Sequence, residues 1–229
     1  MIQPRLANAG TIAANPKRLL ISEIRGGDYA HAGDVEAIDL VLEKLYSINP
    51  NLKSSKILDV GCGFGGTLDY LKNKGFKHLY GIDIDKIAID YAKQRYKDIQ
   101  FNNIDALASS ATFPKSTFEL IWLLNSIYAI EDKNKLLSSL ARIAKSGATL
   151  VIFDYSMAEG DGVLSVHDFA GKQMLPIKIT DLLRNLDTNG WDIIEIDDLS
   201  EDFIKWYSAF LVKLRSKKDL LISRFSERD

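Results

Sequence analysis

The sequence predicts an α/β fold built on a doubly wound, mostly parallel sheet, and three observations predict it. From Lys56 to Phe153, short apolar runs of strand length alternate with segments of helical periodicity, the pattern of parallel strands covered on both faces. At the first such junction, Ile57-Leu58-Asp59-Val60-Gly61-Cys62-Gly63-Phe64-Gly65-Gly66, an apolar strand meets a carboxylate and then four glycines, after which Leu68 and Leu71 continue at helical spacing. Glycine lets the backbone turn sharply and approach a ligand at a helix N-terminus, where amides are free. Acids also end three consecutive strands, Asp59, Asp83 and Asp105, and ligands of open α/β sheets gather at that carboxyl edge.

Residues 1–20 carry Pro4, Gly10 and Pro16 without clear periodicity and read as an arm. Asp34 is placed to cap a helix whose apolar face is Val35, Ile38, Val41, Leu42 and Leu45 and which ends near Asn49-Pro50, so that 1–50 is an arm and cap helix. The core, 51–155, holds strand 56–60, helix 66–74, strand 78–83, helix 86–96 capped by Asp85, strands 99–104 and 117–124, helix 132–145 and strand 147–153. Gly147 is expected to close the helix that contains Leu136, Leu137, Leu140 and Ile143. Gly160, Gly162, Gly171 and Pro176 then break up 156–180, where a substrate lid fits. The remainder, 181–229, reads as helix, strand, helix. Thr180 caps helix 181–188, Asn189-Gly190 ends it, Trp191 to Asp198 forms a strand with Ile193, Ile194 and Ile196, and Ser200 caps a last helix. The stripe Phe203, Trp206, Tyr207, Phe210, Leu211 and Leu214 on that helix is core or a homodimer face.

At 229 residues, 46% hydrophobic and 26% charged, the chain has the composition of one globular domain with a sizeable core. Its 29 basic and 31 acidic residues leave a formal charge of −2, against the electropositive face that nucleic-acid binding usually needs and in favour of a small-molecule substrate. The tail from Lys213 has six basic and three acidic residues and reads as a solvated end. Cys62 is the only cysteine, so no intramolecular disulfide forms and a cytoplasmic, reducing setting is expected. The first fifteen residues lack the progression of an export signal. Leu120 to Ile130, the longest apolar stretch, is interrupted by Asn125 and Ser126 and is too short to cross a bilayer. No set of His, Cys, Asp and Glu has metal-ligand spacing.

The glycine loop fits two ligands on spacing alone: Gly61, Gly63 and Gly66 match the dinucleotide fingerprint, and Gly61, Gly63 and Gly65 a tighter turn. Asp59 would repel a pyrophosphate and suit a ligand carrying an ammonium. Asp83 lies eighteen residues after Gly65, near the offset of about 20 expected of a ribose-binding acid. Asp105 could accept from an exocyclic adenine amine. Singly, each acid has an ordinary explanation as a turn or helix cap.

The run Leu58-Asp59-Val60-Gly61-Cys62-Gly63-Phe64-Gly65 resembles the first motif of the class I S-adenosylmethionine-dependent methyltransferases, and the resemblance covers about residues 25–200. It implies a Rossmann-like sheet of that type with an N-terminal helical cap, and S-adenosylmethionine as cofactor. It further implies that Gly61 and Gly63 approach the methionine part, with Cys62 and Gly65 in the same loop. Asp83 would hold the ribose, Ile84 pack on adenine, Asp105 with Ala106 meet the adenine edge, and Asn125 lie beside the methionine part. The family usually ends in an antiparallel strand, for which Leu220-Leu221-Ile222 is a feeble candidate. A shortened chain, a departure from the family, or an edge completed by a second subunit would each account for that.

Gly26, Gly27, Asp28, His31 and Gly33 are spaced as in enzymes that methylate sarcosine and dimethylglycine, and Tyr29 with its following turn is similar to phosphoethanolamine methyltransferases. Tyr29 and His31 are therefore the candidate catalytic pair, against a reading as plain lid side chains. The second likeness stops at Ala129, where a histidine is expected, and at Lys172-Gln173-Met174-Leu175-Pro176, which lacks the arginine and tyrosines that grip a phosphate. Tyr128 borders the acceptor or belongs to the core. The leading reading is methyl transfer from S-adenosylmethionine to a small polar metabolite, an amine nitrogen first. The alternatives are an NAD(P)-dependent oxidoreductase and a catalytically silent S-adenosylmethionine-binding protein.

Overall fold

The computed structural model describes residues 16–157, 174–219 and 222. In chain order they form α1 (Pro16–Arg25), α2 (Asp34–Ile48), β1 (Lys56–Val60), α3 (Gly66–Asn73), β2 (His78–Asp83), α4 (Lys86–Arg95), β3 (Gln100–Asn103), α5 (Ser109–Thr112), β4 (Phe118–Leu124), α6 (Lys133–Ile143), β5 (Ala144–Phe153), α7 (Ile179–Thr188) and α8 (Ser200–Ser216). The five strands make one parallel sheet in the order β3-β2-β1-β4-β5.

Successive side chains of β1 point to opposite faces, and both faces are apolar because both are covered. Ile57 meets a layer formed by Ile38 and Leu42 of α2, Leu68 and Leu71 of α3, and Ile89 of α4. Leu58 and Val60 meet Leu136, Leu137 and Leu140 of α6 and Leu182 of α7. Trp122 of β4 and Leu68 are fully buried. A buried side chain of that size contributes about 1.5–3 kcal/mol through the apolar area it removes from water. The order of strands leaves the ends of β1, β2 and β3 side by side on one rim, with those of β4 and β5 next to them.

Several local expectations are corrected. Residues 16–25 are helical: Pro16 suits a first helical position, and Leu20, Ile21 and Ile24 pack against Trp206, Phe210 and Leu214 of α8. Asp34 is the first residue of α2 at φ 43°, and Gly33, at φ 80°, occupies the cap position. The helix expected to run to 145 ends at Ile143, and Gly147 sits instead in an irregular stretch of β5, between the pairs Phe118–Ala144 and Leu120–Thr149. Thr180 lies inside α7, and Asp198 rather than Ser200 accepts at the start of α8, from the Ser200 amide.

Trp191 to Asp198 does not form a strand. Its alternating apolar pattern finds no ladder partner, and Ile194 is 68% exposed. The segment is held by side chains instead, through Lys44 with Glu195 and Asp197, and through the Trp191 indole N–H donating to the Leu137 carbonyl. The lid glycines, Lys172, Gln173, Leu220 and Leu221 lie outside the described residues. Among the described residues no helix is long and apolar enough to cross a membrane, and no group of three or more His, Cys, Asp and Glu could hold a metal ion.

Candidate active site

The glycine loop turns at the end of β1, with Gly61 at φ 78° and Gly63 at φ 53°, a region that side chains disfavour. The Gly61 and Cys62 amides donate to the Ile82 carbonyl at 2.8 and 3.0 Å, which ties the turn to β2. Asp83 then accepts from the Gly63 amide at 2.9 Å through one oxygen and from the Asp85 amide at 2.8 Å through the other. Asp59 is 3% exposed, and no donor among the described residues hydrogen-bonds its carboxylate. Burial first and the neighbouring Asp83 second push its pKa up to about 7. Two carboxylates thus lie together at the floor of the rim with no ion pair to either among the described residues, the Arg18 guanidinium near Gly63 pairing instead with Asp85 at 3.4 Å, and a positively charged ligand group would relieve their repulsion.

The other rim residues fall beside that floor. Ile84 is 63% exposed although apolar, and the Asn103 side-chain amide fixes its backbone by donating to the Asp83 and Ile84 carbonyls at 2.9 Å each. Asp105, exposed, caps the next turn by accepting from the Leu107 amide at 2.9 Å, and Ala106 packs into the core beneath α6. Asp85 caps α4 as expected. Cys62 is buried, and burial raises its thiol pKa well above the ordinary value, so it is no nucleophile.

A strap, residues 26–33, lies across this loop. The Asp28 carbonyl accepts from the Gly66 amide at 3.2 Å, and a Cβ on Gly66 would come within 2.5 Å of the Asp28 carbonyl carbon, so glycine is required there by close approach. The Asp28 carboxylate is gripped by Ser22, by Tyr96 at 2.6 Å, and by the Arg95 Nε at 2.8 Å. The Ala32 amide donates to the Asn125 side-chain oxygen at 2.7 Å. Arg25, buried, donates to the His31 carbonyl and to Asp34 at 3.1 Å, with its guanidinium 5.4 Å from the ring centroids of both Trp206 and Phe210.

Asp59, Gly61, Cys62, Gly63, Gly65, Asp83, Ile84, Asp105 and Ala106 are therefore brought to one rim by β1, β2 and β3, with Asn125 joined to it by the strap. The family model described as a methyltransferase domain matches residues 58–152, the span from β1 to β5. That match and the parallel β3-β2-β1-β4-β5 sheet give the chain the fold of the class I methyltransferases. Phosphoethanolamine N-methyltransferase 1 of Zea mays is 27% identical over 217 residues, 92% of this chain and 42% of the maize protein. The sarcosine/dimethylglycine N-methyltransferase of Aphanothece halophytica is 25% identical, over 86% of this chain and 77% of that protein. A solved structure of phosphoethanolamine N-methyltransferase 2 of Haemonchus contortus, in complex with phosphomonomethylethanolamine and S-adenosylhomocysteine, superposes with a TM-score of 0.78 at 20% identity, over 92% of this chain and 50% of that one. The chain spans less than half the length of its maize relative.

Tyr29 and His31, the candidate catalytic pair, both lie in the strap. His31 is 2% exposed, and its nitrogens are engaged by the Ala32 carbonyl at 3.0 Å and the Thr67 hydroxyl at 3.1 Å, which together select the tautomer protonated on Nδ1. Burial lowers its pKa to about 4, so the ring is neutral. Tyr29 packs edge-on to it with centroids 6.1 Å apart, and burial, followed by Tyr70, raises its pKa to about 12. At neutral pH the phenol of Tyr29 is therefore protonated and the ring of His31 uncharged.

Sequence reasoning singled out Asn125 and Tyr128 beyond β4 but not the neighbours that the structure gives to Tyr128, namely Tyr155 and, through it, Tyr207. Beyond β4, Asn125 sits at φ 50° and donates its amide to the Phe153 carbonyl at 2.7 Å, and Ser126 donates to the Val60 carbonyl at 2.7 Å. Beyond β5, the Tyr155 ring meets the Tyr128 ring edge-on at 5.7 Å, and its hydroxyl is bonded to that of Tyr207 on α8. Tyr155 follows the end of β5 as Tyr128 follows β4, a positional signal present in the sequence; Tyr207 comes from a helix distant in the chain and left none.

Proposed function

We propose that the domain binds S-adenosylmethionine along the rim and transfers its methyl group to a small polar acceptor, an amine nitrogen first. The observation that carries this reading is the buried Asp59 carboxylate, without a hydrogen-bond donor among the described residues and facing a second carboxylate in Asp83, beside the exposed apolar surface of Ile84. An anionic floor and an apolar side suit an adenosyl group joined to an amino acid, and they disfavour the pyrophosphate of a dinucleotide. Asp59 would serve the ammonium end, Gly61 and Gly63 would let the ligand approach the backbone, Asp83 would accept from the ribose hydroxyls, Ile84 would pack on the adenine, and Asp105 with the Ala106 backbone would meet its edge. When bound, the cofactor supplies an electrophilic methyl on a sulfonium, so the protein's own task is alignment and exclusion of water.

In this reading Tyr29, His31 and Asn125 are positioning groups: His31 pins the strap to Thr67 of α3, and Asn125 joins it to the loop after β4. Tyr128, Tyr155 and Tyr207 form the acceptor wall, aromatic faces with hydroxyl edges that would receive a small amine and its polar substituent. An amine acceptor is also what the names of the maize and Aphanothece relatives describe for those proteins. A cytoplasmic setting accords with the single buried cysteine.

Titration calorimetry with S-adenosylmethionine, S-adenosylhomocysteine and NAD tests the cofactor assignment, and transfer from labelled S-adenosylmethionine to sarcosine, dimethylglycine and phosphoethanolamine tests the acceptor class. Binding of both adenosyl ligands and not of NAD is expected. NAD binding alone would overturn the reading, and cofactor binding without transfer to any amine would leave a silent binding protein.

A further inference from the structure

The loops after β4 and β5 carry the tyrosine wall, and one carboxylate joins them. Asp154 lies directly after β5, and one of its oxygens accepts from the Ile127 amide at 2.8 Å and the Tyr128 amide at 3.3 Å, both beyond β4. Its other oxygen accepts from the Tyr155 amide at 2.8 Å. A third segment locks onto both loops, with the Leu175 amide donating to the Tyr128 carbonyl at 3.0 Å and the Ile177 amide to the Tyr155 carbonyl at 2.8 Å. The amides of both aromatic residues that face each other, together with that of Ile127, thus converge on the Asp154 carboxyl group.

We propose that Asp154 is a positioning residue which, by bonding the amides of both loops at once, sets the facing arrangement of Tyr128 and Tyr155 and so the shape of the acceptor wall. This rests on the reading of that wall as the acceptor side. The groups around Asp154 are Tyr128, Tyr155 and Lys133 of α6, with Glu131 beside the lysine; the Lys133 ammonium itself donates to the Ile130 carbonyl at 3.0 Å. Backbone amides therefore supply the described hydrogen bonds to this carboxylate, and a carboxylate holding three of them is a geometric joint that a neutral side chain reproduces poorly.

The joint has a pH signature. Burial raises the Asp154 pKa to about 6 against the opposing pull of the amides. Below that value one oxygen carries a proton, the charge that strengthens the amide bonds is gone, and at least one loop is held less firmly.

The test is hydrogen exchange of the amides of Ile127, Tyr128 and Tyr155 in the full chain between pH 5 and 8, corrected for intrinsic rates, for wild type and Asp154→Asn, alongside S-adenosylhomocysteine affinity. Wild type is expected to lose protection at these amides as pH falls through about 6. Asp154→Asn is expected to show about tenfold lower protection at pH 7.5, with no step at 6 and with cofactor affinity unchanged. Equal protection in the two proteins, or a wild-type profile without the step, would overturn the proposal. If Asp154→Asn does not fold, the wild-type profile and Asp154→Glu, which keeps the charge one methylene further out, decide the matter by the same readout. With an amine acceptor in hand, the variant should raise KM about tenfold and leave kcat within a factor of about two. Altered exchange with an unaltered KM would show instead that the wall is not the acceptor side.

Discussion

Asp59 is a carboxyl group that the folded protein buries at a cost to its own stability. Its pKa is about 7 in the folded protein against 3.8 for an unburied aspartate, so the folded state holds a proton more tightly than the unfolded chain. Stability from this group is full below about pH 4 and is lost as pH rises through 7. Asp59→Asn should therefore raise the stability of the ligand-free protein at pH 8, by up to about 3–4 kcal/mol for a shift of this size. The same variant should weaken S-adenosylmethionine binding about tenfold or more and flatten its dependence on pH near 7. Denaturant unfolding at pH 5 and 8, with calorimetry on both proteins, checks both halves. That Asp59, Asp83 and Ile84 gather on one rim was legible in the sequence because each stands at a fixed offset from a strand end. His31 was legible as a special residue, but its contact with Thr67 and its burial were not, since they arise from packing between distant segments.

The strap is an element with no regular structure of its own that nevertheless fixes the glycine loop. Gly66→Ala would place a Cβ about 2.5 Å from the Asp28 carbonyl carbon, a separation that packed atoms do not tolerate. The strap must lift, at a cost of about 1–3 kcal/mol, and cofactor affinity should fall about tenfold while far-UV circular dichroism is unchanged. Limited proteolysis, with cleavage appearing within 26–33 only in the variant, checks the displacement. The parallel strands were readable because each is a continuous apolar run with a helical pattern after it. The segment 191–198 has an equally good strand pattern and forms none, because a ladder needs a neighbour and β5 does not pair with it. Helix α1 went unread for the opposite reason: its apolar stripe is short, and it is stabilised by α8, far along the chain.

Across the whole molecule, Arg25 is where the two ends of the described chain meet. It joins α1 to the strap through the His31 carbonyl and Asp34, and to α8 through the faces of Trp206 and Phe210, while Lys213 and Lys217 of the α8 end donate to the carbonyls of Arg25 and Glu23. Arg25→Ala should cost about 3 kcal/mol, since it empties an aromatic slot and leaves Asp34 without its partner. Arg25→Met, which refills the slot without charge, should recover part of that loss, as read by urea unfolding.

That meeting point also dictates an order of assembly. A ribosome releases the entire cofactor rim, from Asp59 to Asp105, well before Trp206 and Phe210 exist to pin Arg25. A partly made chain can thus gather its sheet while Arg25 still lacks its aromatic slot, and only completion of the distant helix anchors the cover.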